Sequence, residues 1–335
     1  MSRRRRIAKG CGIGCGGLIA LVVVTAAVLA IWKPWAPEIV VTDPSAGGTR
    51  ITDQGLTGNY YPAAGGKRAP GVLVLGGSEG GIGVAADAIA RQLSREGFSA
   101  LALSYWGAPG QPKRMEELPL ETFDTALSWL RSQSTVNPDG TAVVGASKGG
   151  EAAVLLASRH PDVSATVGYV PTHVVWGGFD QAEPWRMVTG MGSTWSAGGA
   201  PVPYVPYSDG FRGGDLVELY RMSLRENLAS HQDAIIPVER ASGPMLLVCG
   251  EKDTMWASCE MSREIEKRAR AKGGPEVTVL AYPEGGHMIA GPPIPSGVPP
   301  WEQLGAFGGT PDSNAAAMAD GWPKVVAFLR QNLTP

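Results

Sequence analysis

The sequence predicts an α/β fold with a doubly wound, mostly parallel sheet, and three observations support this class. Short apolar runs alternate with helical patterns along most of the chain. Several runs are apolar at every position, as in strands that are buried on both faces of a parallel sheet. A serine stands in a glycine-rich turn between one such run and a helix. The 335 residues, 44% hydrophobic and 18% charged, can form one large domain of this kind.

The first part of the alternation supplies two strands and two helices. Gly71–Leu75 is a continuous apolar run and predicts a buried strand. Val84–Glu96 has the apolar spacing of a helix, and Gly97 follows as its C-cap. Phe98–Leu103 predicts the next strand, and Glu121–Ser132 predicts a helix with its apolar residues on one face.

The second part continues past the glycine-rich turn. Thr141–Ala146 predicts the strand before the turn, and Ala152–Arg159 predicts the helix after it. The remaining predicted elements are the strands Val163–Val170, Met245–Cys249 and Val277–Leu280 and the helices Ala257–Ala271 and Ala315–Leu333. We therefore place the catalytic domain at residues 56–335.

The N-terminus is predicted to lie outside this domain. Residues 1–10 form a basic tip, and the apolar residues 11–33 are long enough to cross a bilayer as a helix. Because positive residues stay on the cytoplasmic side, we expect a single-pass membrane protein whose catalytic domain is extracytoplasmic. Residues 34–55, rich in Pro, Gly and Thr, are predicted to be a tether.

Two other interpretations of this N-terminal segment stay open. Val28-Leu29-Ala30 fits the small-residue site of a cleaved signal peptide, which would leave a secreted protein. Arg4–Lys9 loosely fits a twin-arginine signal. We favour an uncleaved anchor because the apolar run is long for a signal peptide.

A long segment of about residues 171–237 interrupts the alternation. It carries Trp176, Trp185 and Trp195, many glycines and the run Pro201–Tyr207. Long loops in compact domains are usually functional. We expect a cap over the active site whose aromatic and proline residues form an apolar acyl-binding wall. Ordinary loop packing is the alternative for any single tryptophan.

Ser147 is the predicted nucleophile. It stands in Gly145-Ala146-Ser147-Lys148-Gly149, directly after a predicted strand and before a predicted helix. This is the layout of the nucleophile elbow of the α/β-hydrolase fold, in which a sharp turn requires small flanking residues. The turn lifts the hydroxyl group out of the sheet and directs the N-terminus of the next helix towards it.

A second Gly-x-Ser-x-Gly pattern occurs at Gly76–Gly80, and in a chain with 46 glycines such patterns arise by chance. Chain order separates the two, because the hydrolase fold needs a glycine-rich loop upstream of the elbow to donate an oxyanion N–H group. Gly76–Gly81 can be that loop for Ser147, whereas nothing upstream can serve Ser78. The predicted oxyanion-hole residues are Gly77, Ser78 and Lys148. We expect the Lys148 side chain to lie on the surface.

His287 is the predicted general base, because it follows a strand and a Gly-Gly turn near the C-terminus, where the hydrolase fold presents its histidine. Asp253 lies four residues past a buried strand and would orient the imidazole ring. Glu251 is the rival acid, but it lies nearer the strand and is therefore less able to reach across to the imidazole ring. The histidines that fit less well are His160, His173 and His231.

The composition predicts no cofactor, no metal and no nucleic-acid partner. The net charge is −2, and no basic cluster occurs beyond the N-terminus. Gly81–Ala86 follows a strand and opens a helix, as a dinucleotide-binding loop does. Such a site also needs an Asp or Glu at the end of the second strand to hold the ribose. Here that strand ends in Leu103–Trp106, which argues against NAD binding. Cys249 and Cys259 can form a disulfide in an exported protein, or can be two separate buried cysteines.

Several stretches of the chain together carry a resemblance to a known family. They are Leu75–Gly81, Ala102–Gly107, Gly145–Glu151, Pro201–Tyr204, Ile236–Glu239 and Gly250–Trp256. They resemble the C-terminal catalytic domain of acyl-CoA thioesterases and bile acid-CoA:amino acid N-acyltransferases, over about Tyr60–Leu333. The resemblance implies a triad of Ser147, Asp253 and His287 and a fatty-acyl thioester substrate. The serine resembles the thioesterase members, since the transferases typically carry cysteine there.

The predicted function is hydrolysis of acyl thioesters through an acyl-enzyme on Ser147. Family members often carry an N-terminal β-sandwich domain and act on cytosolic CoA thioesters, whereas here a tether precedes a domain that is predicted to be exported. An exported carboxylesterase, lipase-like hydrolase or acyltransferase acting on envelope acyl esters is therefore the alternative. An inactive hydrolase-fold binding module is the third possibility.

Overall fold

The structure is a computed structural model and describes residues 38–65, 68–298 and 300–333, with the single positions 25, 28, 33 and 36. The predicted membrane helix, residues 11–33, lies almost wholly outside these residues and stays a prediction. No helix within the described residues is long and apolar enough to cross a membrane. The chain divides into two compact units. The smaller includes Glu38 and Gln181–Pro184, and the larger comprises Ile39–Asp180 and Trp185–Pro335.

The larger unit contains the strands and helices that position the site. Its strands are β1 Thr49–Ile51, β2 Thr57–Tyr61, β3 Ala69–Leu75, β4 Ser99–Ser104, β5 Leu118–Pro119, β6 Val136–Ala146, β7 Ala165–Tyr169, β8 Trp195–Ala197, β9 Ala200–Pro201, β10 Met245–Gly250 and β11 Val277–Tyr282. Its helices are α1 Val84–Arg95, α2 Glu121–Ser132, α3 Lys148–Ala157, α4 Arg186–Thr189, α5 Leu216–Asn227, α6 Ser258–Ala271 and α7 Pro311–Asn332. Short 3₁₀ turns lie at Asp53–Gly55, Leu228–Ser230, Gln232–Ala234, Val238–Arg240 and Trp301–Gly305.

The main sheet has the strand order β1-β2-β4-β3-β6-β7-β10-β11. The pairs β1–β2 and β2–β4 are antiparallel, and every later pair is parallel. This confirms the predicted mostly parallel sheet. In such a sheet the carboxyl ends of the parallel strands meet at one edge, where ligands bind. The loops that follow β3, β6, β10 and β11 therefore converge there, and these loops carry the predicted site residues.

The core lies on both faces of the sheet, as doubly wound topology requires. Val72 and Val74 of β3 pack on the face that α1 and α7 cover. Leu73 and Leu75 alternate to the opposite face, which α2, α3 and α6 cover. All four side chains are at most 1% exposed. Each such burial contributes roughly 1.5–3 kcal/mol of transfer free energy, which explains the continuous apolar run in the sequence.

The sheet begins earlier in the chain than the predicted boundary at residue 56. Thr49–Ile51 pairs with β2 in register Thr49 to Tyr60, and Ile51 is 8% exposed. Thr42 also donates its N–H to the carbonyl of Ile82 at 3.0 Å. The prediction of a tether over residues 34–55 is therefore corrected, because much of that segment belongs to the domain. A three-residue strand at an antiparallel edge leaves little periodic signal in the sequence.

The segment 171–237 builds a small structural layer of its own. Its strands β8 and β9 form a second sheet with β5. Trp176 stacks on Tyr207 with ring centroids 5.8 Å apart, and Tyr220 packs edge-on against Trp176 at 4.8 Å. These rings belong to a buried cluster that also includes Trp256, which stands beside the acid-bearing loop. The insertion thus contributes most of an aromatic cluster that it shares with Trp256.

Cys249 and Cys259 form a disulfide, with Cα atoms 5.0 Å apart. Of the two alternatives that the sequence left open, the structure has the bonded one. The bond joins strand β10 to helix α6 and closes the loop that carries Asp253.

Candidate active site

Ser147 occupies a strained turn between β6 and α3. Its φ is 57° and its ψ is −119°, a backbone conformation that a non-glycine residue adopts only when its surroundings enforce it. The N–H of Ser147 donates to the carbonyl of Tyr169 at 3.0 Å, which ties the turn to strand β7. The strand ends at Ala146 and the helix begins at Lys148, so the turn itself is a single residue.

Glycines beside Ser147 allow the backbone segments to approach closely. A Cβ on Gly145 would lie 1.9 Å from the carbonyl oxygen of Gly149. A Cβ on Gly149 would lie 2.2 Å from the carbonyl oxygen of Gly76 in the neighbouring loop. Both atoms are backbone and have little room to move. The pattern Gly-x-Ser-x-Gly is therefore a packing requirement of this turn.

The structure brings His287 to Ser147. The imidazole Nε2 lies 3.0 Å from Ser147 Oγ, within hydrogen-bond distance. The histidine is 6% exposed, and its ring packs edge-on against Trp256 with centroids 5.0 Å apart. The N–H of His287 donates to the carbonyl of Phe307 at 3.1 Å, which fixes the loop after β11. A base so held can take the proton of the serine hydroxyl group.

Asp253 holds the other side of the imidazole ring. Its Oδ2 lies 2.9 Å from His287 Nδ1, and its side chain is 1% exposed. Its Oδ1 accepts hydrogen bonds from the N–H groups of Met255 at 2.9 Å and Trp256 at 3.2 Å. The carboxylate is thus fixed on both oxygens, and the bond to Nδ1 leaves Nε2 facing the serine.

Glu251, the rival acid, has a different partner. Its carboxylate forms an ion pair with Arg263 of helix α6, on the outer side of the loop. Of the two acids that the sequence left in competition, the structure places Asp253 at the imidazole ring.

The other histidines have other environments. His160 Nε2 lies 2.9 Å from Asp124 Oδ1, and His231 Nδ1 lies 2.8 Å from the carbonyl oxygen of Asn227. His173 lines a separate cavity, and burial lowers its pKa to about 4. Within the described part of the chain, no group of three or more His, Cys, Asp and Glu side chains is placed to hold a metal ion.

The glycine-rich loop after β3 lies against the elbow. A Cβ on Gly77 would stand 3.1 Å from Ser147 Cβ, a tight contact that the glycine avoids. Tyr105 donates its hydroxyl hydrogen to the carbonyl oxygens of Gly76 and Gly77, each at 2.8 Å. These bonds fix the backbone of the loop beside the serine. Sequence reasoning missed Tyr105; its position directly after strand β4, at the carboxyl edge of the sheet, was the available signal.

The expectation that Lys148 lies on the surface is wrong. Its side chain is 3% exposed, and its Nζ lies 3.1 Å and 3.0 Å from the two carboxylate oxygens of Glu151. Burial lowers the pKa of the Lys148 ammonium group, and Glu151 opposes that shift. Glu151 also accepts hydrogen bonds from Trp195 Nε1 at 2.8 Å and Thr172 Oγ1 at 3.1 Å, both from the insertion. The two residues therefore tie the insertion to the elbow helix.

A cavity of about 350 Å³ opens beside Ser147 and His287. Most of its lining is apolar and comes from the first turns of α1, the segment after His287, and helix α7. Representative lining residues are Val84, Ile89, Met288, Ile294, Leu304 and Met318.

The predicted acyl-binding wall from the insertion is therefore wrong for this cavity, because none of its lining residues comes from 171–237. Trp176 and Trp195 are fully buried in packed cores instead, and Trp185 is exposed. Aromatic content alone does not distinguish a pocket wall from the core of a small layer.

Comparison with known proteins identifies the family of this chain. The family described as "BAAT / Acyl-CoA thioester hydrolase C terminal" matches residues 118–335. The chain belongs to this family. The match begins at strand β5 and includes Ser147, Asp253 and His287.

Curated relatives of this BAAT / acyl-CoA thioester hydrolase chain are similar to it in sequence. Acyl-coenzyme A thioesterase 1 of Rattus norvegicus is 30% identical over 276 residues, which cover 79% of this chain and 60% of the rat protein. The chain thus spans less than two thirds of that relative's length.

Two solved structures share the fold of this family member. A puromycin-hydrolysing peptidase of Mycobacterium tuberculosis has a TM-score of 0.55 at 15% identity, covering 87% of this chain and 40% of its own. An α/β hydrolase of Penicillium sp. sh18 has a TM-score of 0.50 at 14% identity, covering 85% of this chain and 98% of its own. At these identities the likeness establishes the α/β-hydrolase fold alone.

Proposed function

We propose that this protein is a serine hydrolase that cleaves acyl thioesters through an acyl-enzyme on Ser147. The observation that carries the proposal is the chain of two hydrogen bonds, from Asp253 through His287 to Ser147, beside an apolar cavity. Three side chains from three separate loops meet in this order, which is the arrangement that activates a weak serine nucleophile. The family match and the rat acyl-coenzyme A thioesterase 1 support the thioester as the substrate class.

In acylation, His287 Nε2 takes the proton of the Ser147 hydroxyl group as Oγ bonds to the acyl carbon. The carbonyl electron pair moves to oxygen, and the resulting oxyanion collapses to expel the thiolate, which leaves with the proton from His287. Asp253 stabilises the charged imidazole ring without taking its proton. Water then repeats the sequence against the acyl-enzyme, and the fatty acid leaves.

The oxyanion is held by backbone N–H groups in this proposal. Lys148 is the first residue of α3, so its N–H has no partner within the helix and points towards the turn. Gly77 and Ser78 supply the opposite side, from the loop that Tyr105 fixes. Removing one such donor typically costs about 3–4 kcal/mol in the activation free energy.

The disulfide favours a second candidate substrate class. Disulfides persist in oxidising compartments, and the bond between Cys249 and Cys259 fits a domain that lies outside the cytoplasm. A domain in that location would meet acyl esters of the cell envelope rather than CoA thioesters. The catalytic residues and the apolar cavity serve either carrier, so this alternative changes the leaving group and not the chemistry.

We also propose that residues 11–33 anchor the protein in the membrane with the catalytic domain outside. The basic residues Arg3–Arg6 and the apolar run support this orientation, and the disulfide is compatible with it. Fractionation of cells that express the full chain tests the anchor. Full-length protein should stay in the membrane after a carbonate wash. Release of full-length protein by that wash would contradict the anchor, and a mature chain that begins near Ile31 would show a cleaved signal instead.

The experiment that tests the reaction compares carriers at equal acyl chain length. Purified protein is assayed on p-nitrophenyl esters and on acyl-CoAs of matched lengths, with Ser147→Ala as the control. We expect hydrolysis of both classes and a higher kcat/KM for acyl-CoAs if thioesters are the natural substrates. Activity on the esters alone would favour the envelope-ester alternative. Complete inactivity on both classes, together with no reaction with a fluorophosphonate, would contradict hydrolysis altogether.

A further inference from the structure

Glu79 lines the same cavity as Ser147 and His287. Its Oε2 lies 2.9 Å from the point where a Cβ on Gly77 would stand, and Ser147 Cβ lies 3.1 Å from that same point. The carboxyl group and the nucleophile therefore face one small space beside the oxyanion loop. Glu79 and His287 are the only ionisable side chains among the described residues that line the cavity.

Three glycines make room for this carboxyl group. A Cβ on Gly76 would lie 2.5 Å from Glu79 Oε1, and a Cβ on Gly83 would lie 2.6 Å from the same oxygen. With Gly77 they bound the carboxyl group from the loop and from the start of helix α1. Side chains at these positions would displace the carboxyl group from the place that it takes.

The surroundings of the carboxyl group act on its protonation in opposite directions. The Glu79 residue as a whole is exposed to solvent, but its carboxyl oxygens lie close to the backbone of Gly76, Gly77 and Gly83, and this local desolvation raises the pKa of the carboxyl group. Hydrogen bonds from the backbone N–H groups of Glu79 and Gly77, and the charge of His287, oppose that rise. Tyr105 is the other ionisable group that interacts with it from a neighbouring element.

We propose that Glu79 is a further catalytic residue, whose protonated carboxyl group donates a hydrogen bond to the oxyanion formed at Ser147. The proposal rests on the serine-hydrolase function proposed above. A neutral carboxylic acid can serve as an oxyanion donor when its site disfavours ionisation. The ionised form acts in the opposite sense, because a carboxylate beside Ser147 repels the developing oxyanion and engages the Gly77 N–H that would otherwise bind it.

The hydrogen bond from Glu79 consumes no proton in the acylation step. Ser147 Oγ bonds to the acyl carbon, the carbonyl π electrons move to oxygen, and the serine proton goes to His287 Nε2. Glu79 keeps its own proton and shares it as a hydrogen bond, so it is unchanged when the oxyanion collapses. The active form thus has neutral His287 and protonated Glu79, and activity should fall with rising pH as Glu79 ionises.

A pH series with a matched set of variants tests this role. The measurement is kcat/KM on one p-nitrophenyl ester from about pH 5 to about pH 8.5, for the wild type, Glu79→Gln, Glu79→Ala and Glu284→Gln. Glutamine keeps a hydrogen-bond donor and cannot ionise. Glu284 is exposed and lies three residues before His287, so its variant removes the same charge near the site but outside the cavity.

We expect the wild type and Glu284→Gln to lose activity at alkaline pH. Glu79→Gln should lack that alkaline loss and be several-fold more active than the wild type at the upper end of the range. Glu79→Ala should be tenfold or more less active than Glu79→Gln at every pH, and than the wild type at the lower end of the range, with a melting temperature close to that of the wild type. The same alkaline loss in Glu79→Gln, or equal activity of the glutamine and alanine variants, would overturn the role. A wild type that neither hydrolyses the ester nor reacts with a fluorophosphonate would instead overturn the proposed hydrolase function, and the role of Glu79 with it.

Discussion

The imidazole Nε2 of His287 lies 3.0 Å from the hydroxyl oxygen of Ser147, although 140 positions separate the two residues in the chain. The contact forms because β6 and β11 are parallel strands of one sheet, so the loops that follow them leave from the same edge. Asp253 follows β10, the neighbour of β11, and reaches the far side of the same ring. Sheet topology, more than local sequence, assembles the site.

Replacing Ser147 and Ser78 in turn should show which of the two Gly-x-Ser-x-Gly patterns carries the nucleophile. Ser147→Ala should abolish both fluorophosphonate labelling and hydrolysis of an activated ester, because the Ser147 hydroxyl group lies within hydrogen-bond distance of His287 Nε2. Ser78→Ala should be labelled and keep clear activity, since Ser78 contributes a backbone group in this account. Labelling that is lost in Ser78→Ala and kept in Ser147→Ala would reverse the assignment.

Replacing Asp253 and Glu251 in turn should show which of the two acids orients His287. Asp253→Asn should keep the fold but lower kcat by several orders of magnitude, on the order of 10⁴ in the best-studied triads, because the amide favours the wrong imidazole tautomer. Glu251→Gln should change kcat little, since that carboxylate pairs with Arg263. Steady-state kinetics on one activated ester measures both. The reverse order of effects would show that the acid is misassigned.

Much of the fold and the identity of the candidate site residues could be predicted from local patterns. Helix α2 has the predicted bounds Glu121–Ser132, because its apolar face repeats without interruption. The glycines around Ser147 marked the turn because close backbone contacts forbid larger residues there.

The features that the sequence did not reveal depend on contacts between distant segments. Lys148 is buried because it pairs with Glu151, which the insertion holds in place through Trp195. Strand β1 exists because β2 offers it an edge. Neither partner can be recognised from the residues of Lys148 or β1 alone, so a charged residue was expected at the surface and a polar segment was expected to be a tether.

Removing the disulfide should destabilise the acid-bearing loop. The bond joins residues ten positions apart. Closing a loop of this length is worth about 2–3 kcal/mol of unfolding free energy in the chain-entropy account. The double variant Cys249→Ser, Cys259→Ser should therefore unfold at lower urea than the wild type. Dithiothreitol should lower the urea midpoint of the wild type and leave that of the double variant unchanged. Equal midpoints for all samples would contradict a stabilising role.

The ion pair between Glu239 and Arg268 should make stability depend on pH. Hydrogen bonds from Arg268, at 2.7 Å to each carboxylate oxygen, lower the pKa of Glu239 to about 2. Because the folded-state pKa is depressed, the pair stabilises the fold fully above the ordinary carboxyl pKa of 4.5, and this stabilisation is lost as pH falls towards 2.

Urea unfolding of Glu239→Gln checks this. At neutral pH the variant should lose on the order of 1–3 kcal/mol of unfolding free energy, and the loss should shrink below about pH 4.5. Glu266→Gln is the control, because its partner Arg270 lies four residues along the same helix and is largely exposed. Such a pair contributes at most about 0.5 kcal/mol. A deficit in Glu239→Gln that does not change with pH would contradict the ion pair as its source.

The central claim is that an acyl group is transferred to Ser147, and acid-quenched protein mass spectrometry during turnover of an activated acyl ester tests it most directly. The wild type should gain the mass of one acyl group, located on the tryptic peptide that contains Ser147. His287→Ala and Ser147→Ala should show no such gain and should lose activity to similar extents, because triad members act as one unit. An acyl group on another residue, or hydrolysis that persists in Ser147→Ala, would contradict the account.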